Sequence, residues 1–264
     1  MNSLIYSGDH AARATAARLL EKRIEINRAY SSADFDAWLF ERLKVAAGEQ
    51  VLDVGCGSGA QTIPFAKLVG PTGSVSSLDI STDSVALLKD RVPVGARVEA
   101  IAADMADLSQ VIANVFSVKR YTLAHSSYAL YYSSERLAVL DVMRGALQRG
   151  GRCAVFTPQE PHGLVQLAER YVDIPPAVGE SLRFGTDVLH PYFAKHFKRF
   201  EIHHFHNVVS VPSAEVLIEF YRQTTYYAAK AEPAMRAFVE DEIKRRDRFQ
   251  YEKNGYLIIG FVDG

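Results

Sequence analysis

The apolar positions change period near Gln50. Before it, Ala17, Leu20 and Ile24 recur at helical spacing with Arg and Glu between them. Phe35, Leu39 and Leu43 repeat that pattern after Ser31, which with Asp34 three residues on forms a candidate capping box. Two N-terminal helices are predicted. From Gln50 short apolar runs alternate with helical segments. Strands are predicted at Val51–Val54, Ser74–Asp79, Arg97–Ala102, Tyr121–His125 and Arg152–Thr157. The helices between them run from about Ser58 to Leu68, from a cap at Ser81 through Val85, Leu87 and Leu88, over Leu108–Phe116, and over Glu135–Leu147 before Gly150-Gly151. Pro64, just past the first turn of its helix, weakens that helix without ending it.

Strands that are mostly apolar on both faces and alternate with helices call for a parallel sheet with right-handed crossovers. Beyond Thr157 the chain becomes more helical, near His162–Tyr171, Asp187–Phe197, Ala214–Ala228 and Pro233–Arg248. A strand near Phe200–Val211 interrupts these helices, and Tyr256–Val262 is the last strand. No repeat, low-complexity tract or linker divides the chain. The expectation is one α/β domain over 1–264, doubly wound on a mostly parallel seven-stranded sheet. Residues 1–46 would form a helical lid, 47–160 the cofactor-binding core, and 161–264 a helical elaboration with the final strands on the substrate side.

Composition narrows the partners. Of 264 residues, 48% are hydrophobic and 23% charged, which suits a packed globular chain. The net charge of −1 supplies no basic excess and counts against a nucleic-acid substrate. Cys56 and Cys153 form no disulfide or zinc pattern. The N-terminus lacks the apolar stretch of a signal peptide, and no run of about 18 apolar residues predicts a membrane span. A cytoplasmic protein is expected, and the oligomeric state cannot be read from the sequence.

Candidate chemistry begins at Val51-Leu-Asp-Val-Gly-Cys-Gly-Ser-Gly59, a strand followed by a glycine loop that opens a helix. Glycine suits a sharp turn and a close ligand, and the helix N-terminus offers N–H groups to a negative group. Gly55, Gly57 and Ala60 also satisfy the dinucleotide pattern, so a nicotinamide cofactor competes. Asp53, two residues before Gly55, would repel a pyrophosphate and attract an ammonium group. Asp79, at the end of the second strand, lies 79 − 59 = 20 residues beyond Gly59 and suits ribose hydroxyls in either cofactor. Asp104 follows the third strand and can accept from an adenine amine while Met105 packs on the ring. Three acids at consecutive strand ends fall where open α/β sheets bind ligands.

On these residues the segment from Gln50 to Thr157 resembles the class I S-adenosylmethionine-dependent methyltransferases, especially the small-molecule enzymes with a D-V-G-C-G-x-G first motif. The resemblance implies that Asp53, Gly55, Gly57 and Gly59 bind the cofactor, with Asp53 toward the ammonium of its methionine end. It gives Asp79 with Ile80 the ribose and one adenine face, and Asp104 with Met105 the rest of the adenine. Leu147-Gln-Arg-Gly-Gly151 resembles the family's L-x-P-G-G, with Arg149 where proline is common. The family's fold implies a last strand that is antiparallel at the sheet edge. It also implies cofactor contacts just after the fourth strand, which fall here on His125 and Ser126. The N-terminal segment would close over the cofactor as a lid, with Tyr6 or Tyr30 at the methionine end.

Tyr128, Tyr131 and Tyr132 beside that rim are candidates for a substrate wall, as are Tyr221, Tyr226 and Tyr227, although aromatics at helical spacing also suit a core. His125 is a candidate substrate contact, and a candidate base if the acceptor is a hydroxyl. His203-His-Phe-His206 places His204 and His206 on one strand face, too few ligands for a metal site. The run Glu240–Arg248 alternates in sign as a solvated helix face does. The leading expectation is methyl transfer from S-adenosylmethionine, with S-adenosylhomocysteine as product, to an O, N or C atom of a small molecule. No N-P-P-Y-type motif of base-methylating enzymes follows the fourth strand. An NAD(P)-dependent oxidoreductase and a non-catalytic adenosylmethionine-binding protein are the alternatives.

Overall fold

The computed structural model describes residues 3–6 and 8–264. The apolar runs form five parallel strands, β1 (Gln50–Val54), β2 (Ser74–Asp79), β3 (Val98–Ala102), β4 (Tyr121–Ser127) and β5 (Leu147–His162), in the order β3-β2-β1-β4-β5. Three strands follow them, β6 (Arg199–Phe205), β7 (Val208–Val211) and β8 (Phe249–Phe261). The sheet continues as β5-β8-β6 with antiparallel pairing, and β7 lies on the N-terminal half of β8. Helices α4 (Thr62–Val69), α5 (Thr82–Arg91), α6 (Leu108–Asn114) and α7 (Arg136–Gly145) fill the crossovers. The doubly wound α/β expectation holds. The last strand is antiparallel, but it is not at the edge. Leu257, Ile258 and Ile259 are all buried, which suits a strand covered on both faces. β6, with Glu201 and His204 exposed, takes the edge instead.

Both β5 and β8 run much further than their apolar cores. β5 continues past Thr157 through Pro158 and Pro161. However, the β4 pairing of β5 ends at Phe156, so the prolines interrupt no ladder on that side. Pairing with β8 continues through Gln159↔Asn254 to His162↔Lys253, with a register irregularity between them. The predicted Phe200–Val211 strand is two strands, parted at His206-Asn207, where the Asn207 N–H donates to Asn254 Oδ1 at 3.2 Å.

Three N-terminal helices form rather than two: α1 (Gly8–Thr15), α2 (Ala17–Tyr30) and α3 (Phe35–Leu43). Asp34 itself caps α3, its Oδ1 accepting the Ala37 N–H at 3.0 Å, whereas Ser31 closes α2. α4 starts at Thr62, which places Pro64 in the first turn, where no backbone donor is needed.

The remaining helices are α8 (Gly163–Glu169), α9 (Pro176–Phe184), α10 (His190–His196), α11 (Ala214–Arg222) and α12 (Glu232–Arg246). One core cluster joins Leu52, Leu78, Leu140, Met143 and Phe193. Another joins Leu39, Phe65, Leu123, Phe156 and Leu257. A third, around Ile26, Leu164, Leu217, Met235 and Tyr251, caps the overhanging ends of β5 and β8. No helix among the described residues is long and apolar enough to cross a membrane.

Candidate cofactor site at the strand ends

Strand register builds the centre of the site. Asp53 of β1 is aligned with His125 of β4, so their side chains lie side by side. His125 Nδ1 lies 2.8 Å from Asp53 Oδ1. Thr62 Oγ1, at the start of α4, donates to Asp53 Oδ2 at 2.6 Å. Ser127 is two residues beyond His125 and therefore on the same face, with its Oγ 2.9 Å from His125 Nε2. The carboxylate accepts from Nδ1–H, which leaves Nε2 to accept from the Ser127 hydroxyl. Asp53 is 2% exposed and His125 is fully buried, with Phe65 edge-on to the imidazole at 5.0 Å. Asp53 is therefore tied into the fold, with one hydrogen bond on each oxygen. His125 likewise reaches the site only through Ser127. Ser126 is on the opposite face, buried, with no partner for its Oγ.

The glycine loop is held from below and above. The Gly55 and Cys56 N–H groups donate to Leu78 O at 2.8 and 3.0 Å. Gly55, Gly57 and Gly59 have φ of 77°, 51° and 93°, a region costly for other residues. A Cβ on Gly55 would lie 2.2 Å from Ala129 Cβ, so the loop also packs against the turn after β4. Burial pushes the Cys56 thiol up, reinforced by the Asp53 and Asp79 carboxylates. Asp79, at the end of β2, accepts from Gly57 N–H through Oδ2 and Ser81 N–H through Oδ1, both at 2.8 Å. Burial raises its carboxyl above the usual range, against the lowering effect of those two bonds. Ile80 beside it is half-buried.

Asp104 is engaged by the N-terminal segment. Ser3 N–H donates to Oδ2 at 2.7 Å, and Ser3 Oγ–H and Ala106 N–H donate to Oδ1 at 2.5 and 3.0 Å. Burial pushes this carboxyl up, but the Ser3 and Ala106 bonds together hold it below the usual range. Ser134 N–H donates to Ser3 O and Ile5 N–H to Tyr132 O, which ties residues 3–6 across the mouth. Tyr6 is buried beside Tyr132, with ring centroids 5.5 Å apart. Tyr30 instead packs against the cap cluster. The Met105 Cε lies 3.9 Å from where a Gly55 Cβ would stand, so the thioether reaches over the loop.

α2 lies over the same loop. Leu20 Cδ2 would be 2.8 Å from a Gly57 Cβ, and Glu21 accepts from Ser58 Oγ at 2.5 Å and from Arg91 at 2.9 and 2.6 Å. Arg91 and Ser58 together hold the Glu21 carboxyl below its usual range against burial. Tyr128 follows Ser127 with φ 55°, and its half-buried ring packs on Phe35 and Phe156. Tyr131 is buried between Tyr132 and Phe184. Burial raises the phenols of both Tyr128 and Tyr131. Tyr221 and Tyr226 are buried in the cap core, while Tyr227 hydrogen-bonds Glu232 at 2.8 Å. In the histidine run, His204 Nδ1 lies 2.9 Å from Gln159 Oε1 and pairs with no cluster of metal-ligating groups among the described residues.

Thr62, Ser127 and Ser3 were not singled out by sequence reasoning. Ser127 was legible in principle, standing two residues from His125 on a strand; Ser3 gave no signal, because its partner Asp104 is 101 residues away.

Residues 51–151 match the family described as methyltransferase domain. Over 115 residues the chain is 30% identical to the aklanonic acid methyltransferase DauC of Streptomyces sp. strain C5, covering 42% of this chain and 49% of that protein. Over 144 residues it is 25% identical to a demethylmenaquinone methyltransferase of Staphylococcus aureus, covering 53% and 57%. The chain thus spans about half the length of the curated relatives it matches. An N-methyltransferase of Haemonchus contortus, solved with phosphomonomethylethanolamine and S-adenosylhomocysteine, superposes with a TM-score of 0.54 at 15% identity, covering 87% of this chain and 52% of that one. The central segment, residues 51–151, is thus similar to the methyltransferase domain family, and it lies on a doubly wound sheet.

Proposed function

We propose that the protein is an S-adenosylmethionine-dependent methyltransferase that methylates an O, N or C atom of a small-molecule acceptor and releases S-adenosylhomocysteine. The observation that carries this reading is Asp79, whose carboxylate stands at the end of β2 and clasps the glycine loop through Gly57 N–H. A carboxylate has about four acceptor sites. Two of those on Asp79 are filled, which leaves two for a ribose diol. Asp104 keeps one site for an adenine amine, and Met105 and Ile80 flank the position of the ring. The donor set therefore fits the cofactor. Bound there, S-adenosylmethionine supplies an electrophilic methyl group on a sulfonium.

The chain's own contribution is positioning and exclusion of water. Asp53 fixes the His125 tautomer, and His125 orients the Ser127 hydroxyl at the strand end. Leu20 and Glu21 seat α2 on the glycine loop, and residues 3–6 cover the adenine end. Holding the reactants in line can supply about 7–11 kcal/mol of barrier reduction in favourable cases. The net charge of −1 supports a small acceptor over a nucleic acid, and two buried free cysteines suit a reducing compartment such as the cytoplasm.

Calorimetry with S-adenosylmethionine, S-adenosylhomocysteine and NADH tests the reading. The two adenosyl compounds are expected to bind and NADH to give no heat. Tight NADH binding without S-adenosylhomocysteine binding would establish the nicotinamide alternative instead.

A further inference from the structure

Where β5 and β8 overhang the core, an ammonium-bearing side chain stands among aromatic rings with no carboxylate beside it. Lys253 Nζ donates to Asn27 Oδ1 of α2 at 2.8 Å and lies 5.9 Å from the centre of the Tyr128 ring and 5.2 Å from that of Phe220. His162 is its direct cross-strand partner in an antiparallel ladder, so both side chains stand on one face of the sheet. Tyr251, two residues earlier on β8, shares that face. His162 Nδ1 and Tyr251 Oη are buried and have no hydrogen-bond partner. Buried polar atoms are normally satisfied, so two orphans on one face beside a lysine mark a place where a polar ligand completes the set.

α2 brings Asn27 and the Arg23 guanidinium, which acts on Lys253 as a like charge. β5 brings His162, which burial and then Lys253 itself push down to about 3, so the imidazole is neutral. α11 brings Phe220, while Glu219 on that helix is paired with Lys22. Glu252 on β8 accepts from Asn254 instead. Tyr128 connects this spot to the cofactor loop, because the next residue, Ala129, is what a Gly55 Cβ would strike. α2 spans the same interval: Glu21 sits at the loop and Asn27 at Lys253, six residues or about 9 Å along the helix.

Resting on the methyl-transfer reading, we propose that Lys253 is the proton acceptor of the acceptor site, and that the acceptor is a planar molecule with an acidic hydroxyl, a phenol or an enol. The aromatic walls suit a flat ring, and the cationic surroundings disfavour an ammonium substrate and favour an oxyanion. In the step, the acceptor oxygen forms a bond to the methyl carbon as the carbon–sulfur bond breaks. Its electron pair returns to sulfur, and the hydroxyl proton passes to the Nζ lone pair. Burial and then Arg23 bring the Lys253 amine down to about 7, so the neutral, proton-accepting form predominates above that pH. Turnover is therefore expected to rise with pH through about 7 and then level off.

The test uses the full chain saturated with S-adenosylhomocysteine. Lysine labelling by acetic anhydride, resolved by mass spectrometry across pH, should show Lys253 reacting with a midpoint near 7 and shielded by 2-naphthol. Difference absorbance should show bound 2-naphthol ionised at pH values where free naphthol is not. Lys253→Met should abolish that ionisation while leaving S-adenosylhomocysteine affinity unchanged. Lys253→Arg keeps the cation and cannot accept a proton, so naphthol should stay neutral on it, and with S-adenosylmethionine in place of S-adenosylhomocysteine its methylation of 2-naphthol should fall at least about 100-fold. Lys253 labelling together with the other lysines, or naphthol left neutral on the wild type, would overturn the proposal. Failure of S-adenosylhomocysteine to bind at all would instead overturn the methyl-transfer reading beneath it.

Discussion

Replacing His125 by leucine isolates the energetic role of the buried Asp53–His125–Ser127 chain. Leucine roughly conserves volume, so the cost comes chiefly from polar groups left behind. Asp53 keeps only the Thr62 bond, and Ser127 Oγ loses its partner. A hydrogen bond to a charged group contributes about 1.5–3 kcal/mol, and a buried hydroxyl left unpaired costs about 1–3 kcal/mol. The sum, about 3–5 kcal/mol once partial relaxation is allowed, is a large share of an ordinary folding stability of roughly 5–15 kcal/mol. At about 2–4 °C per kcal/mol for a chain of this size, melting should fall by roughly 6–20 °C. Urea unfolding of His125→Leu, Asp53→Asn and the double variant is the assay. The double variant should recover about 0.5–3 kcal/mol relative to the sum of the singles, because the uncompensated charge is gone. A loss below about 1 kcal/mol for His125→Leu, or strict additivity, would refute the network.

Other expectations follow from single contacts. Asp79→Asn removes a charge-assisted acceptor worth about 1.5–3 kcal/mol and should weaken S-adenosylhomocysteine binding at least about 10-fold by calorimetry; an unchanged Kd would remove Asp79 from the site. Ser3→Ala deletes one of the bonds that hold residues 3–6 over the adenine end and should weaken S-adenosylhomocysteine binding by about 5-fold, whereas equal or tighter binding would show that this segment does not cover the adenine. Gly55→Ala combines φ 77° with a Cβ 2.2 Å from Ala129 Cβ, and should cost more than about 2 kcal/mol in urea unfolding.

β1 and β2 were legible because each buries both faces and is bounded by turn residues, so pattern and tertiary structure agree at Val51–Val54 and Ser74–Asp79. The overhangs of β5 and β8 were not, since Gln159–His162 and Phe249–Lys253 are polar or proline-bearing and are strands only because they pair with each other and with β7. In the site, the three acids announced themselves by position, but their engagement did not. Asp53 reads as a free carboxylate until the β1–β4 register sets it against His125. Asp104 likewise reads as free until residues 3–6 return across the sheet. Lys253 carried no motif; its significance comes from its cross-strand neighbour and from a helix more than 200 positions earlier.

The length of β5 and β8 has a mechanical consequence. These strands are single beams that begin or end in the nucleotide-binding half and are built into the cap at their other ends. A two-jawed closure between those halves would have to bend hydrogen-bonded ladder on both beams at once. On the opposite side, residues 3–6 and the first two helices are attached by side-chain bonds, short backbone bridges and the packing of Ile26. The rigidity of the molecule therefore lies along β5 and β8, while residues 3–6 join it through a few local contacts.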